Sequence, residues 1–163
     1  MKLRLAQKTD MPLLMQLGHS VWAKGRSLED FTQSSIEKDK TTNRDWLVLV
    51  SDDDEVLSSL TIQPLNYDGH FGFGNVVTPE QHRKNGYSSQ LIKLAIEDYL
   101  ANKGATAFFL YSEVDPKIYE SLGFKILPEQ FQNFLPKSSY MCASDMYDQI
   151  VNDPDFQPPK DYY

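Results

Sequence analysis

Cysteine is nearly absent: Cys142 is alone among 163 residues, so no internal disulfide can form. That fits a reducing compartment, and a cytoplasmic protein is the expectation. No apolar run approaches the roughly 20 residues that span a bilayer. The charged N-terminal stretch has no signal-peptide core. Histidine is scarce, and His19, His70 and His82 lie far apart without metal-ligand spacing, so no metal is expected. Basic charge is in deficit: 16 Lys and Arg against 23 Asp and Glu leave a formal net charge of −7. Neutralising phosphates needs a basic face, so neither a nucleic-acid binder nor a binder of anionic membranes is expected. A cationic partner such as an amine suits that charge. Two phosphate motifs are also missing. No Gly-Lys-Ser/Thr sequence is present, and Gly72-Phe73-Gly74 begins like a dinucleotide fingerprint but has Val77 where the third glycine belongs.

What is present is a length suited to one domain, with 40% hydrophobic residues to build its core. The chain is organised around Phe71 to Leu100. Phe71–Val77 is a short apolar strand, Gln81–Tyr87 a polar loop, and an amphipathic helix follows from about Ser88. Leu91, Ile92, Ala95, Ile96 and Tyr99 recur at helical spacing and face a core. Gly104 is placed to end that helix. A strand, a glycine-bearing loop and a helix start together make an anion site, because the first-turn N–H groups lack helical partners and the helix dipole adds about half a positive charge. Gly86 permits close backbone approach, and Arg83 and Lys84 add cations beside it.

Arg83-Lys84-Asn85-Gly86-Tyr87-Ser88 resembles the Gln/Arg-x-x-Gly-x-Gly/Ala loop of the GNAT acyltransferase superfamily, which binds the pyrophosphate of acetyl-CoA. Ser88 departs from the small apolar residue preferred there, and its hydroxyl is placed to cap the helix or meet a phosphate. A second stretch adds to the resemblance. Ala107–Tyr111 is a strand-type run, Asp115-Pro116 reads as a helix start, and Tyr119-Glu120-Ser121-Leu122-Gly123-Phe124 is similar to the Tyr-x-x-x-Gly-Phe signature that follows the coenzyme loop in many GNAT enzymes. The two motifs stand in the family's order and at its usual separation.

The resemblance implies an acetyl-CoA-dependent N-acetyltransferase acting on a small-molecule amine. A protein or peptide acetyltransferase and a non-catalytic coenzyme-binding module remain open beside it, as does a homodimer. Cofactor contacts are expected from Val76, Val77, Arg83, Lys84, Asn85, Gly86, Tyr87, Ser88 and Ser112. Tyr119 matches the family tyrosine that protonates the departing thiolate, against the plainer reading of a core tyrosine beside Ile118 and Leu122. The strand Phe71–Val77 lacks the glutamate that several GNAT enzymes use as base. Glu113 is the nearest carboxylate by position, with water as the alternative proton acceptor.

The expected fold is α/β: a single domain, residues 1–152, with a mixed, mostly antiparallel sheet, a central splayed parallel strand pair and flanking helices. Lys2–Ala6, Trp46–Ser51, Val56–Ile62, Phe71–Val77, Ala107–Tyr111, Phe124–Leu127 and Tyr140–Ala143 are its strands. Met11, Leu14, Leu17 and Val21 form the inner face of a first helix closed by Trp22, and Leu28 to about Lys38 is a second, weaker one. Asp52-Asp53-Asp54 is a solvated hairpin turn, and Gly72 and Gly74 suggest a bulge or a close backbone approach. Asp145 to about Asn152 is a short helix. Residues 153–163 form a proline-bearing tail for which disorder is the expectation, unless its aromatics pack back on the domain.

Overall fold

A computed structural model describes residues 1–163. Seven strands form one mixed sheet: β1 (Lys2–Leu5), β2 (Asp45–Val50), β3 (Val56–Pro64), β4 (His70–Val77), β5 (Ala107–Ser112), β6 (Lys125–Ile126) and β7 (Ser139–Ala143), in the order β1-β2-β3-β4-β5-β7-β6. Pairing is mostly antiparallel, and β4 with β5 is the parallel pair. The helices are α1 (Met11–Trp22), α2 (Leu28–Thr42), α3 (Tyr87–Asn102), α4 (Lys117–Glu120) and α5 (Tyr147–Asn152). None is long and apolar enough to cross a membrane. The chain falls into two compact units, Met1–Gln63 with Asn75–Ala95, and Pro64–Gly74 with Ile96–Tyr163.

The first unit is built on β1, β2 and β3. All six residues of β2 except Asp45 are buried, so it reads as an unbroken apolar run rather than an alternating one. The β2–β3 turn takes the acidic run: Asp54 sits in left-handed backbone (φ +64°), and its carboxylate accepts from Arg4 Nε at 3.0 Å. Leu14, Met15, Phe31, Trp46, Val48, Val50 and Val56 form the core. The inner face of α1 differs from the expected one. Val21 is exposed, and the buried line is Leu14, Met15 and Gly18. The cause is α2: a Cβ on Gly18 would stand 2.9 Å from Phe31 Cζ, so Phe31 packs where α1 has no side chain. Helix α2 runs on to Thr42, past the expected end near Lys38. Ser27 caps its start by accepting from the Asp30 N–H, and Asn43 ends it in left-handed backbone. The buried Arg44 guanidinium holds α2 to β2, bonding Asp39 and the Ser35 hydroxyl, while Trp46 Nε1 also donates to Asp39 at 3.0 Å.

In the second unit β4 runs parallel to β5 with His70↔Ala107 through Phe73↔Leu110 in register, and Gly74 already lies outside that register. Strand β7 pairs antiparallel with β5, and β6 adds two residues at its far edge. The Phe73 and Phe108 rings stack at 5.5 Å. Ala107, Phe109, Leu127, Phe131, Tyr140, Cys142 and Ile150 form a core that Phe156 completes. The tail is therefore packed rather than disordered. Phe156 meets Phe109, Phe131 and Tyr67 with ring centroids 5.2–5.8 Å apart, and Tyr67 Oη donates to the Asp155 carbonyl at 2.8 Å. Burying one such ring contributes about 1.5–3 kcal/mol toward ordering this segment, and its prolines lower the entropy that ordering costs.

Candidate active site

The first unit carries the end of β4, the loop after it and the start of α3. Asn75, rather than either glycine of the strand, takes the left-handed conformation (φ +49°), which asparagine tolerates better than most residues. Its amide donates to Thr61 Oγ1 at 3.3 Å, and Ser58 Oγ donates to the Val77 carbonyl at 3.2 Å. Hydroxyls of Ser58 and Thr61 on β3 thus hold the distal half of β4, which gives these two buried polar residues their partners. Val76 is half-buried and Val77 buried.

Beyond β4, a one-turn 3-10 segment over Glu80–His82 leads to the loop. Lys84 (φ +65°) and Gly86 (φ +76°) are both left-handed, and Arg83, Lys84, Asn85 and Gly86 are all exposed. A Cβ built on Gly86 would meet nothing within 4 Å, so this backbone is open for close approach. The side chains brace the turn: Arg83 Nε donates to the Thr78 carbonyl at 3.2 Å, and the Asn85 amide donates to the carbonyls of His82 and Arg83. His82 Nε2 meets Glu55 Oε1 at 2.8 Å. Helix α3 starts at Tyr87, one residue earlier than expected, which puts Ser88 in the first turn rather than at a cap. Its buried face is Leu91, Ile92, Ala95 and Tyr99, with Ile96 half-buried, as the spacing predicts.

The second unit holds the other predicted residues. Ser112 is buried, and its hydroxyl donates to the Val114 carbonyl at 2.8 Å, closing the turn after β5. The Asp115 carboxylate accepts from the Lys117 N–H at 3.0 Å, so Asp115 does start the helix, but Pro116 occupies the cap and Lys117 the first helical position. Tyr119 is half-buried with its ring 6.2 Å from Phe124, while Ile118 is exposed and does not share a core face with it. Burial raises the Tyr119 phenol above its ordinary value. Gly123 at φ +92° lets the chain reverse, and the Phe124 N–H returns to the Tyr119 carbonyl at 3.2 Å.

Glu113 is partly exposed and engaged. Tyr162 Oη donates to its Oε1 at 2.8 Å, and Lys137 Nζ lies 3.7 Å from the same oxygen. Neither partner follows from local pattern, for Tyr162 is 49 positions away. The only available signal was the paired tyrosine ending of a tail otherwise rich in proline.

The chain matches the profile of the Acetyltransferase (GNAT) domain over residues 2–127. No curated protein matches its sequence. Among solved structures it resembles a spermidine N-acetyltransferase chimera from Vibrio cholerae and hSSAT, with a TM-score of 0.69 at 15% identity, covering 94% of this chain and all of that one. It also resembles an aminoglycoside 6'-N-acetyltransferase complexed with coenzyme A (TM-score 0.68, 17% identity, 88% of this chain and 97% of that one). A spermidine N-acetyltransferase from Vibrio cholerae in complex with CoA and spermine shows a TM-score of 0.67 at 17% identity, over 90% of this chain and 96% of that one. The fold and the profile match together show that this chain belongs to the GNAT acetyltransferase family and is an acyl-CoA N-acetyltransferase.

Proposed function

We propose that the protein transfers an acetyl group from acetyl-CoA directly to a primary amine of a small cationic molecule. The observation that carries this is the turn from β4 into α3, in which Lys84 and Gly86 are left-handed, Gly86 faces open space and a 16-residue helix begins at Tyr87. Left-handed residues in such a loop and the first N–H groups of the helix suit a pyrophosphate, with Arg83 and Lys84 supplying cations. Val76, Val77 and Ser112 complete the coenzyme contacts in this reading. The acidic balance of the chain supports a cationic acceptor, and two of the similar structures are acetyltransferases for spermidine and an aminoglycoside.

In the chemistry, the neutral amine attacks the thioester carbonyl carbon. A C–N bond forms, and the carbonyl electrons move to oxygen, where a backbone N–H of Val76 or Val77 is the donor we assign. An alkylamine is mostly protonated at neutral pH, with an ordinary pKa of about 10.4 for a lysine-like group, so it must lose a proton before attack. That proton leaves to water or to Glu113. Collapse breaks the C–S bond: Tyr119 gives its proton to the departing thiolate, the attacking nitrogen sheds its surplus proton to leave the neutral amide, and that proton, carried through water, restores the phenol. A phenol carries its proton at neutral pH, as a donor must.

The test is thiol release from acetyl-CoA over a panel of amines, amino acids, polyamines and peptides. Turnover with a small amine supports the proposal, and turnover with peptides alone overturns its choice of acceptor. Acetyl-CoA is also expected to raise the melting temperature, since a ligand at a hundredfold excess over Kd stabilises by about 2.7 kcal/mol. A melting curve indifferent to millimolar acetyl-CoA overturns the cofactor assignment.

A further inference from the structure

We propose that Glu113 and the Tyr162 ring, backed by Tyr111, form a recognition site for an alkylammonium, the cationic end of the acceptor, and that the Lys137 ammonium occupies it when no acceptor is bound. This rests on the acetyltransferase reading and deepens it, because Glu113 then anchors a cation instead of taking the proton lost in the reaction.

Three observations meet at this place. First, the Tyr162 ring is stacked on Tyr111 at 4.7 Å, and Phe134 stands edge-on to both, at 5.4 and 5.2 Å. Stacked tyrosines offer a π face, and a π face beside a carboxylate attracts an organic cation. Second, a primary ammonium is already there. Lys137 Nζ lies 5.7 Å from the centre of the Tyr162 ring and 3.7 Å from Glu113 Oε1, on a side chain that is 61% exposed. A long, exposed pair of this kind is worth little, so it yields readily to a competitor. Third, Tyr111 also stacks on Tyr140, at 4.3 Å, so the Tyr162 ring is backed by a fixed stack. The hydrogen bond from Tyr162 to Glu113 fixes the carboxylate against the rings, which makes Tyr162 the positioning residue of the group.

The test is calorimetric binding of putrescine, n-butylamine and n-butanol to the full-length protein at low salt. The variants are Glu113→Gln, Tyr162→Phe and Lys137→Met, each checked for an unchanged melting temperature. Lys137→Met removes the resident ammonium and is expected to tighten both amines about three- to tenfold, while Glu113→Gln weakens them by a similar factor; n-butanol is indifferent to both changes. Tyr162→Phe is expected to weaken the amines less, since it keeps the ring and loses only the bond to Glu113. In thiol release with putrescine, Glu113→Gln is expected to act mainly on KM. The proposal is overturned if the wild type holds the amines no better than n-butanol, if Lys137→Met leaves amine binding unchanged or weaker, or if Glu113→Gln lowers kcat with KM unmoved. An acetyl-CoA melting shift that persists in any of these cases leaves the acetyltransferase reading standing.

Discussion

The ring of Tyr163 fills the space where a side chain at Gly72 would stand: a Cβ built there would fall 2.5 Å from Tyr163 Cε2. Gly72 lies in β4, and Tyr163 Oη reaches Tyr140 Oη at 3.2 Å, so the glycine serves a close approach rather than a bulge.

Gly72→Ala is therefore expected to overpack this contact and lower stability by about 1–3 kcal/mol. In a Tyr163→Ala background the same change meets no ring, and most of that cost disappears. Urea midpoints for the four members of the cycle measure the coupling. Equal costs in both backgrounds would show that the contact does not constrain position 72.

Gly86 is a left-handed position of the proposed coenzyme loop. An L-residue at φ +76° pays about 1–2 kcal/mol, and a β-branched one fits worst, yet no neighbour within 4 Å would clash. Gly86→Val should leave a folded protein whose melting temperature no longer responds to acetyl-CoA. Arg83→Ala and Lys84→Ala are expected to weaken coenzyme A about two- to fivefold each at low salt, and less as salt rises, because exposed cations are screened. Calorimetry at two ionic strengths, with pantetheine as the phosphate-free control, checks this; equal losses for both ligands would mean the two residues act through folding.

Tyr119→Phe keeps the ring against Phe124 and removes only the proposed acid. The expectation is a fall in kcat of about tenfold, the low end for general acids because a thiolate leaves tolerably unaided, with acetyl-CoA affinity little changed. A structural tyrosine predicts the reverse, a lower melting temperature and near-normal kcat. A variant within about twofold of wild-type kcat removes Tyr119 from the mechanism.

His70 is expected to make the fold sensitive to acid. Its Nδ1 is buried without a partner, its ring lies 5.1 Å from Phe109, and burial lowers its pKa below the ordinary value. The unfolded chain then binds a proton near its ordinary pKa of about 6.5, before the folded protein does. Stability is full above that pH and is lost as pH falls through it. Urea midpoints at about pH 7.5 and 5.5 should differ more for the wild type than for His70→Gln. An identical pH dependence would remove His70 from it.

Much of the fold was legible because local pattern decides it. The period of Leu91, Ile92, Ala95 and Tyr99 locates α3 and its buried face. The loop Arg83–Ser88 and the motif Tyr119–Phe124 are contiguous, so their place in the chain can be read directly. What escaped depends on partners distant in sequence. Val21 has the spacing of an inner residue, but Phe31 draws Gly18 inward instead. Gly72 marked a close approach, as its place in the strand suggests, but no glycine marks the left-handed residue of β4, which is Asn75, held by Thr61 on the neighbouring strand. Glu113 was visible as a carboxylate, but its partners Tyr162 and Lys137 were not, because loop closure over tens of residues leaves no periodic trace. Likewise, prolines in the tail argued for disorder until one ring, Phe156, found a place among Phe109 and Phe131.

Cys142, fully buried in β7, has its thiol pushed up to about 12 by burial. Thiolate is the form that reacts with disulfide and maleimide reporters, so at neutral pH the folded protein is nearly silent toward them. A colorimetric thiol reagent added during turnover therefore counts coenzyme released into solution, with no correction for the enzyme's own sulfhydryl. The same reagent becomes a clock for opening of the sheet: once acetyl-CoA is withheld, any slow colour that develops reports how often β7 exposes its sulfur.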